Sequence, residues 1–398
     1  MRRMLSKRAW AALMLSILLV PMLAACGDTP AANTTPTGAA TTTTGMAADT
    51  SPTAMMANET PTAMVADETP TAAMAEESPT AMTGGTGKKM RVGLVTDVGK
   101  INDGTFNEFA YAGLKRAETE LGIEIAAIET QAQTDYGKNM DQFASQGFDM
   151  IIGVGFFMGE ALQAAAAKYP NIKFAIVDFA YDPIIPNVRG LVFAEDQAGY
   201  LAGALAASMS KTNTIAVVGG VEGVPAVKKF VMGYENGAKS VKPDITVQKV
   251  YIDSFTDRAR GAEAAKNFIS QGADVIFGAG GQTGSGAIQA AAQEGAYVIG
   301  VDQDEYNTTF QRGAAPGSNK ILSSAMKRVD NAVFAAIKDA QAGNFQGGTV
   351  AFDASTQGVG LAPFHNTEAE IPADVKANLD RILKGLADGS IKTGVDVK

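Results

Sequence analysis

Val95-Thr96-Asp97-Val98-Gly99-Lys100-Ile101-Asn102-Asp103-Gly104-Thr105-Phe106-Asn107 is the stretch on which the fold turns. It closes an apolar run from Arg91 to Val95 that reads as a buried strand, and a helical pattern begins at its far end. A strand end followed by a helix start is where open α/β sheets bind ligands. Here that point carries carboxylates, amides, glycines and one aromatic ring. These residue types suit a polyhydroxylated ligand with a flat face. The stretch holds no obvious nucleophile and no phosphate-cradling lysine pattern.

Working outward, strand and helix patterns alternate from Lys88 onward. Strands are expected at Met90–Thr96, Glu124–Thr130, Met150–Val154, Lys173–Asp178 and Arg189–Phe193, separated by helices at Asn107–Leu121, Tyr136–Gln146 and Glu160–Tyr169. After helix Gln197–Met209 the cycle restarts with strands Thr214–Val218, Thr246–Tyr251, Asp274–Phe277 and Tyr297–Val301 and helices Ala226–Val241, Arg258–Ser270 and Ser285–Glu294. Such alternation implies parallel sheets with helices on both faces. Two successive runs of βα units predict two similar doubly wound lobes. Ile321–Ala325, helix Asp330–Ala342 and helix Ala373–Ala387 then cross back to complete them. The expected allocation is about 90–196 plus 304–330 for the first lobe and about 197–303 plus 331–398 for the second. Two lobes joined by several crossings make a hinged, ligand-closing cleft.

Bulk properties narrow the function. A chain of 398 residues with 46% apolar content supports two ordinary cores. A net charge of −9 argues against a nucleic-acid partner, which needs a basic face. One histidine, His365, excludes a His-rich metal site, and one cysteine, Cys26, excludes an intrachain disulfide or a thiolate zinc cluster.

The first 25 residues read as a targeting segment. Arg2, Arg3, Lys7 and Arg8 precede an apolar run from Trp10 to Leu23, too short for an ordinary spanning helix. The run ends Leu23-Ala24-Ala25-Cys26, which looks like a bacterial lipobox, with Cys26 as the lipidated first residue of the mature chain. The plainer alternative is a signal peptide with an incidental cysteine, but the chain's sole cysteine sits at that one place. Cleavage removes four positive charges and takes the net charge from −9 to −13.

Residues 26–87 are rich in Thr, Ala, Pro and Met, with a Pro-Thr-Ala unit recurring at Pro52, Pro61, Pro70 and Pro79. With no periodic apolar face, such a segment cannot offset its ordering entropy and reads as a disordered tether. A nine-residue polar repeat is too small to build a stacked solenoid. Residues 88–398 form the binding domain.

Polar or aromatic residues recur after the strand ends: Asp97, Phe156 and Phe157, Asp178, Ser254-Phe255-Thr256-Asp257, Gly278-Ala279-Gly280-Gly281 and Asp302. A lone Asp at such a place is more often a helix cap than a ligand contact. Six such sites on one side of two sheets favour a real cleft. The glycine cluster has the wrong spacing for a dinucleotide fingerprint, so close backbone approach or a tight turn explains it as well. His365, in the turn-rich Ala362-Pro363-Phe364-His365-Asn366, reads as structural, and no G-x-S-x-G elbow is present to make a triad with it.

Taken together these segments resemble the basic membrane protein family of bacterial lipoproteins, which are purine-nucleoside-receptor-like binding proteins. The resemblance runs over roughly residues 90–364. It rests on Asp97-Val98-Gly99, Asp103-Gly104-Thr105-Phe106-Asn107, Gly153-Val154-Gly155-Phe156, Phe174-Ala175-Ile176-Val177-Asp178 and Ala194-Glu195-Asp196-Gln197-Ala198-Gly199-Tyr200-Leu201-Ala202-Gly203. It continues through Ser254-Phe255-Thr256-Asp257, Val298-Ile299-Gly300-Val301-Asp302 and Lys327-Arg328-Val329-Asp330. The resemblance implies a type I periplasmic-binding fold and capture of nucleosides, purines favoured, for an ABC-transporter permease. It implies no cofactor, metal or catalytic residue.

On the family pattern Phe106 and Phe255 sandwich the base, and Asp97, Asp178 and Asp302 fall on ligand positions. Lys327 matches a ligand-binding lysine, Asn107 a base-edge partner, and Gly280 lines the pocket. Two features depart from the pattern. Arg258 and Arg260 stand where Pro and Lys are usual, and are expected on the helix surface. The chain is also acidic, with a long tether. A receptor for a sugar or other small solute on the same fold and a carboxylate-based nucleoside hydrolase using Asp97 or Asp302 are the competing functions.

Overall fold

The structure, a computed structural model, describes residues 88–397. The expected signal peptide, Cys26 and the tether lie outside the described residues.

Long apolar runs set the architecture. Strands β1 (Arg91–Val98), β2 (Glu124–Thr130), β3 (Met150–Val154), β4 (Lys173–Val177) and β5 (Val188–Phe193) alternate with helices α1 (Phe106–Leu121), α2 (Tyr136–Ser145) and α3 (Gly159–Lys168). Next come α4 (Glu195–Met209), β6 (Thr214–Gly219), α5 (Pro225–Val241), β7 (Thr246–Tyr251), α6 (Arg258–Ser270), β8 (Val275–Ala279), α7 (Gly281–Gln293), β9 (Tyr297–Asp302) and β10 (Ile321–Lys327). Then follow α8 (Val329–Gln341), β11 (Gly348–Phe352), β12 (Val359–Leu361) and α9 (Ala373–Ala387).

Two six-stranded sheets result, ordered β11-β5-β4-β3-β1-β2 and β12-β10-β9-β8-β6-β7. The two orders match position for position, but the edge strands differ in direction: β11 runs parallel to β5 and β12 antiparallel to β10. Central strands β3 and β8 are buried along their whole length, as strands covered by helices on both faces must be. In the first lobe Leu94, Ile152 and Val177 pack on the side of α1 and α8, whereas Val95, Ile151 and Ile176 pack on the side of α2 and α3. The period of two along each strand thus feeds two cores.

The allocation of the last third corrects the sequence expectation. β10 pairs in parallel with β9 and belongs to the second sheet, so segment 304–330 is not part of the first lobe. α8 packs against α1, and β11 pairs in parallel with β5. Residues 331–352 therefore complete the first lobe, and only β12 and α9 return to the second. The apolar run Ile321–Ala325 marks a buried strand without saying which sheet it joins. The shorter solution is to pair it with the preceding strand, as sequential elements usually do. Strands β11 and β12 had no sequence signal: β11 is largely exposed and β12 has three residues. The crossings fall at 193–195, 327–329 and 352–359.

Helix α4 is buried almost throughout and lies against α5 in close backbone contact. A Cβ on Gly203 would overlap the Tyr234 carbonyl, and one on Gly237 the Tyr200 carbonyl. Gly→Ala inside a helix ordinarily stabilises by roughly 0.5–1 kcal/mol. Here the sign should invert. Gly203→Ala is expected to destabilise the protein by about 1–3 kcal/mol through overpacking, measured as a lower denaturation midpoint. A midpoint at or above the parent's would refute the close contact.

Candidate functional site

The carboxyl ends of both sheets face one cleft whose empty space, counted out to its open mouth, is about 720 Å3. All eight residues expected at a site, Asp97, Phe106, Asn107, Asp178, Phe255, Gly280, Asp302 and Lys327, line this one cleft. His365 does not. It pairs with Asp304 at 2.6 Å and stacks on Tyr306.

Asp178 follows β4 and Asp302 ends β9, the same strand position in each lobe. Both hold positive φ, 68° and 66°. Non-glycine residues rarely adopt this conformation, and it costs of order 1–3 kcal/mol. It is paid twice, at matching points facing the same cleft.

In the first lobe the long loop after β1 is tied down by its own side chains. Asp103 accepts from the backbone N–H groups of Thr105, Asn107 and Glu108, and so caps α1. Thr105, at the N-cap position, makes no capping bond, and its buried hydroxyl has no partner. Asn107 accepts from the Asp97 backbone N–H at 3.0 Å and donates to Asp103 at 3.0 Å. Its carboxamide thus joins strand to helix and keeps one N–H for anything else. Asp97 accepts on one oxygen from the Val98 N–H and the Tyr136 hydroxyl. Its second oxygen lies where a Cβ on Gly155 would come within 2.6 Å. Burial raises the Asp97 carboxyl above the ordinary range, against the lowering pull of the Tyr136 hydroxyl.

Lys327, at the end of β10, is fully buried with charge on three sides. Its Nζ lies 2.6 Å from Asp178 and 3.1 Å from Glu195. It also sits over the Phe106 and Phe193 rings, 5.1 and 5.2 Å from their centroids. Burial by itself would push this ammonium down, but Asp178, Glu195 and Asp302 together hold it above the ordinary lysine value. The carboxyls respond oppositely. Burial raises Asp178 despite Lys327, with Glu195 adding to the rise. Burial raises Asp302 to about 7, offset in part by Lys327 and reinforced by Asp178, Glu305 and Asp103. Asp178 keeps one buried oxygen with no protein partner.

Phe106 comes from the first lobe and Phe255 from the second, with Phe156 and Phe230 as the other two aromatics in the lining. Gly280 precedes α7, where a Cβ would come within 2.5 Å of the Gly220 nitrogen, so the glycine cluster serves close backbone approach. Helix α7 begins at Gly281, one turn earlier than the sequence pattern suggests. Arg258 bonds Gln289, and Arg260 pairs with Asp253 and Asp257; neither lines the cleft. Across the lobes, Gln303 donates to the Thr105 carbonyl at 3.1 Å and Thr308 to the Gly104 carbonyl at 2.8 Å.

Asp103 and Thr105 also line the cleft, and Tyr136 and Glu195 brace Asp97 and Lys327 from behind it; none of the four is among the residues expected there. The one available signal was the presence of two candidate caps, Asp103 and Thr105, before a single helix, which leaves one of them free.

This two-lobed cleft, with its polar groups at the strand ends, has the architecture of solute-binding proteins. A solute-binding protein of an ABC transporter system from Aeropyrum pernix superposes with a TM-score of 0.69 at 27% identity, over 77% of this chain and 94% of its own. Residues 90–387 match the family described as ABC transporter substrate-binding protein PnrA-like, and the chain belongs to that family. Among relatives, the ABC transporter nucleoside-binding protein BmpA of Lactococcus lactis is 34% identical over 74% of this chain and 87% of its own. The CD4+ T-cell-stimulating antigen of Listeria monocytogenes is 31% identical over 77% and 88%.

The raised carboxyl of Asp302 makes the sign of a stability test definite. Between its ordinary value of 3.8 and about 7 it holds a proton in the folded chain but not in the unfolded one. Its favourable contribution is therefore lost as pH rises through about 7. Asp302→Asn should stabilise the ligand-free protein at pH 8 by about 1–3 kcal/mol, and the gain should shrink toward pH 5. Denaturant melts of both proteins across that range would show it. A gain independent of pH would contradict the assignment.

Proposed function

We propose that this protein captures nucleosides, purines favoured, in the interlobe cleft and delivers them to the permease of an ABC importer. The observation that carries this reading is the pairing of an aromatic ring from each lobe with strand-end carboxylates in one cleft. Phe106 and Phe255 supply flat apolar faces for a base. Stacking is worth roughly 1–3 kcal/mol per base and tolerates any base. Asp97, Asp178 and Asp302 supply acceptors for neighbouring hydroxyls, since a carboxylate has room for two donors. The unpartnered Asp178 oxygen and Thr105 hydroxyl await a ligand's polar groups.

Lys327 balances only part of this negative charge, so a neutral nucleoside fits better than a nucleotide phosphate. Asn107, with most of its carboxamide engaged in the loop, contributes one N–H to the base edge, and Gly280 lets backbone approach the ligand. The relative from Lactococcus lactis, whose name specifies nucleoside binding, supports the same reading.

The protein acts outside the cytoplasm, held to the membrane by lipid on Cys26, with residues 26–87 as its tether. Stable anchoring of this kind takes two acyl chains or a second signal. Cys26→Ala is therefore expected to move the chain from the membrane fraction to the soluble fraction of its host. Unchanged fractionation would remove the lipid anchor from the account.

Titration calorimetry with adenosine, guanosine, inosine, cytidine, uridine and ribose tests the ligand class. Nucleosides are expected to bind, purines most tightly, and ribose weakly or not at all. Phe106→Ala and Asp302→Ala should each weaken binding by about tenfold or more. Ribose binding without nucleoside binding, or unchanged affinity in both variants, would reject the reading.

A further inference from the structure

Behind the cleft lies a buried charge chain that the ligand contacts do not account for. Glu195 opens α4, directly after the first crossing between the lobes, and its side chain is buried. It does not line the cleft. One of its oxygens meets Lys327 at 3.1 Å, and the other meets Lys229 of α5 at 3.2 Å. Lys229 also donates to the Phe193 carbonyl at 3.2 Å, on the strand that leads into the same crossing. Lys327 ends β10 and opens the second crossing. Two of the three crossings are thus joined by one ion pair, and one member of it reaches the cleft.

The groups facing Lys327 are Asp178 from β4, Asp302 from β9, Glu195 from α4, and the rings of Phe106 from α1 and Phe193 from β5. Asp178 and Asp302 both line the cleft and both face it from strand ends. Glu195 is the partner on the far side. Without it, the ammonium would be held by cleft carboxylates alone, and its direct partner Asp178 would be more fully consumed by the pair. A buried charge left without part of its compensation must move, lose its proton or admit water.

We propose that Glu195 is a positioning residue for ligand capture: it shares the Lys327 ammonium with Asp178 from the side of the crossings, leaving the second oxygen of Asp178 and the carboxyl of Asp302 free to accept hydrogen bonds from ligand. Lys229 in turn neutralises the second oxygen of Glu195. The ligand part of this inference rests on the nucleoside reading, while the placement of Lys327 does not.

The test uses the whole protein, Glu195→Gln, and the double variant Glu195→Gln with Lys229→Met. The double variant removes both members of the rear pair and leaves no unpaired Lys229. Adenosine, guanosine and inosine serve as probes in calorimetry. The Lys327 side-chain signal in 13C- and 15N-lysine-labelled, ligand-free protein, read by NMR, reports the ammonium directly without needing access to it. Glu195→Gln should weaken nucleoside binding by about tenfold and displace the Lys327 signal. The double variant should regain thermal stability but neither affinity nor the parent Lys327 signal.

Recovery of parent affinity in the double variant, or an unchanged Lys327 signal in both variants, would overturn the proposal. If the parent chain binds none of the three nucleosides, the nucleoside reading fails, and the Lys327 signal alone decides the role of Glu195.

Discussion

The buried ammonium of Lys327 is the constraint around which the rest of the molecule is arranged. An ion of this kind costs of order several kcal/mol to remove from water and persists only with close, well-placed partners. Its close partners come from different parts of the chain, Asp178 from the first sheet and Glu195 from the start of α4, with Asp302 of the second sheet adding a longer-range attraction. Satisfying one charge therefore requires both sheets and two crossings to be in place together. The Asp178 and Asp302 backbones both adopt positive φ at matching strand ends, which brings their carboxylates to the same cleft.

The lobes divide the work by chemistry. The first contributes a loop braced by its own hydrogen bonds: Asp103 caps α1, Asn107 ties α1 to β1, and Tyr136 fixes one oxygen of Asp97. The bracing leaves the Thr105 hydroxyl and one N–H of Asn107 unspent. The second lobe contributes closely packed backbone around Gly220 and Gly280 and the ring of Phe255. A pre-organised lining lowers the ordering cost of binding. The bonds from Gln303 and Thr308 to the loop at 104–105 are the cleft's links away from the hinge.

Much of this was legible in the chain. Apolar runs such as Phe174-Ala175-Ile176-Val177 are buried strands in any setting, and the polar residues that stop them sit at the ligand-binding ends by topology. Asp97, Asp178, Phe255, Gly280 and Asp302 were marked by their places after strand ends, Phe106, Asn107 and Lys327 by the family resemblance, and all meet in the cleft. The lobe membership of β10, α8 and β11 was not legible, because an apolar strand carries no label for its partner. Edge strand β11, exposed on much of its length, lacked even the apolar run.

Sequence alone determined the alternating α/β class, the two-lobed plan and the side of the sheets on which a ligand belongs, because each depends on local periodicity and connection rules. Tertiary structure alone decided which of two candidate caps, Asp103 or Thr105, spends its side chain on α1. It alone decided that Asn107 is mostly a brace, and that Glu195 stands behind Lys327 rather than on the surface. Those outcomes depend on distances between residues far apart in the chain, such as the 3.1 Å between Glu195 and Lys327. No local pattern encodes a distance of that kind.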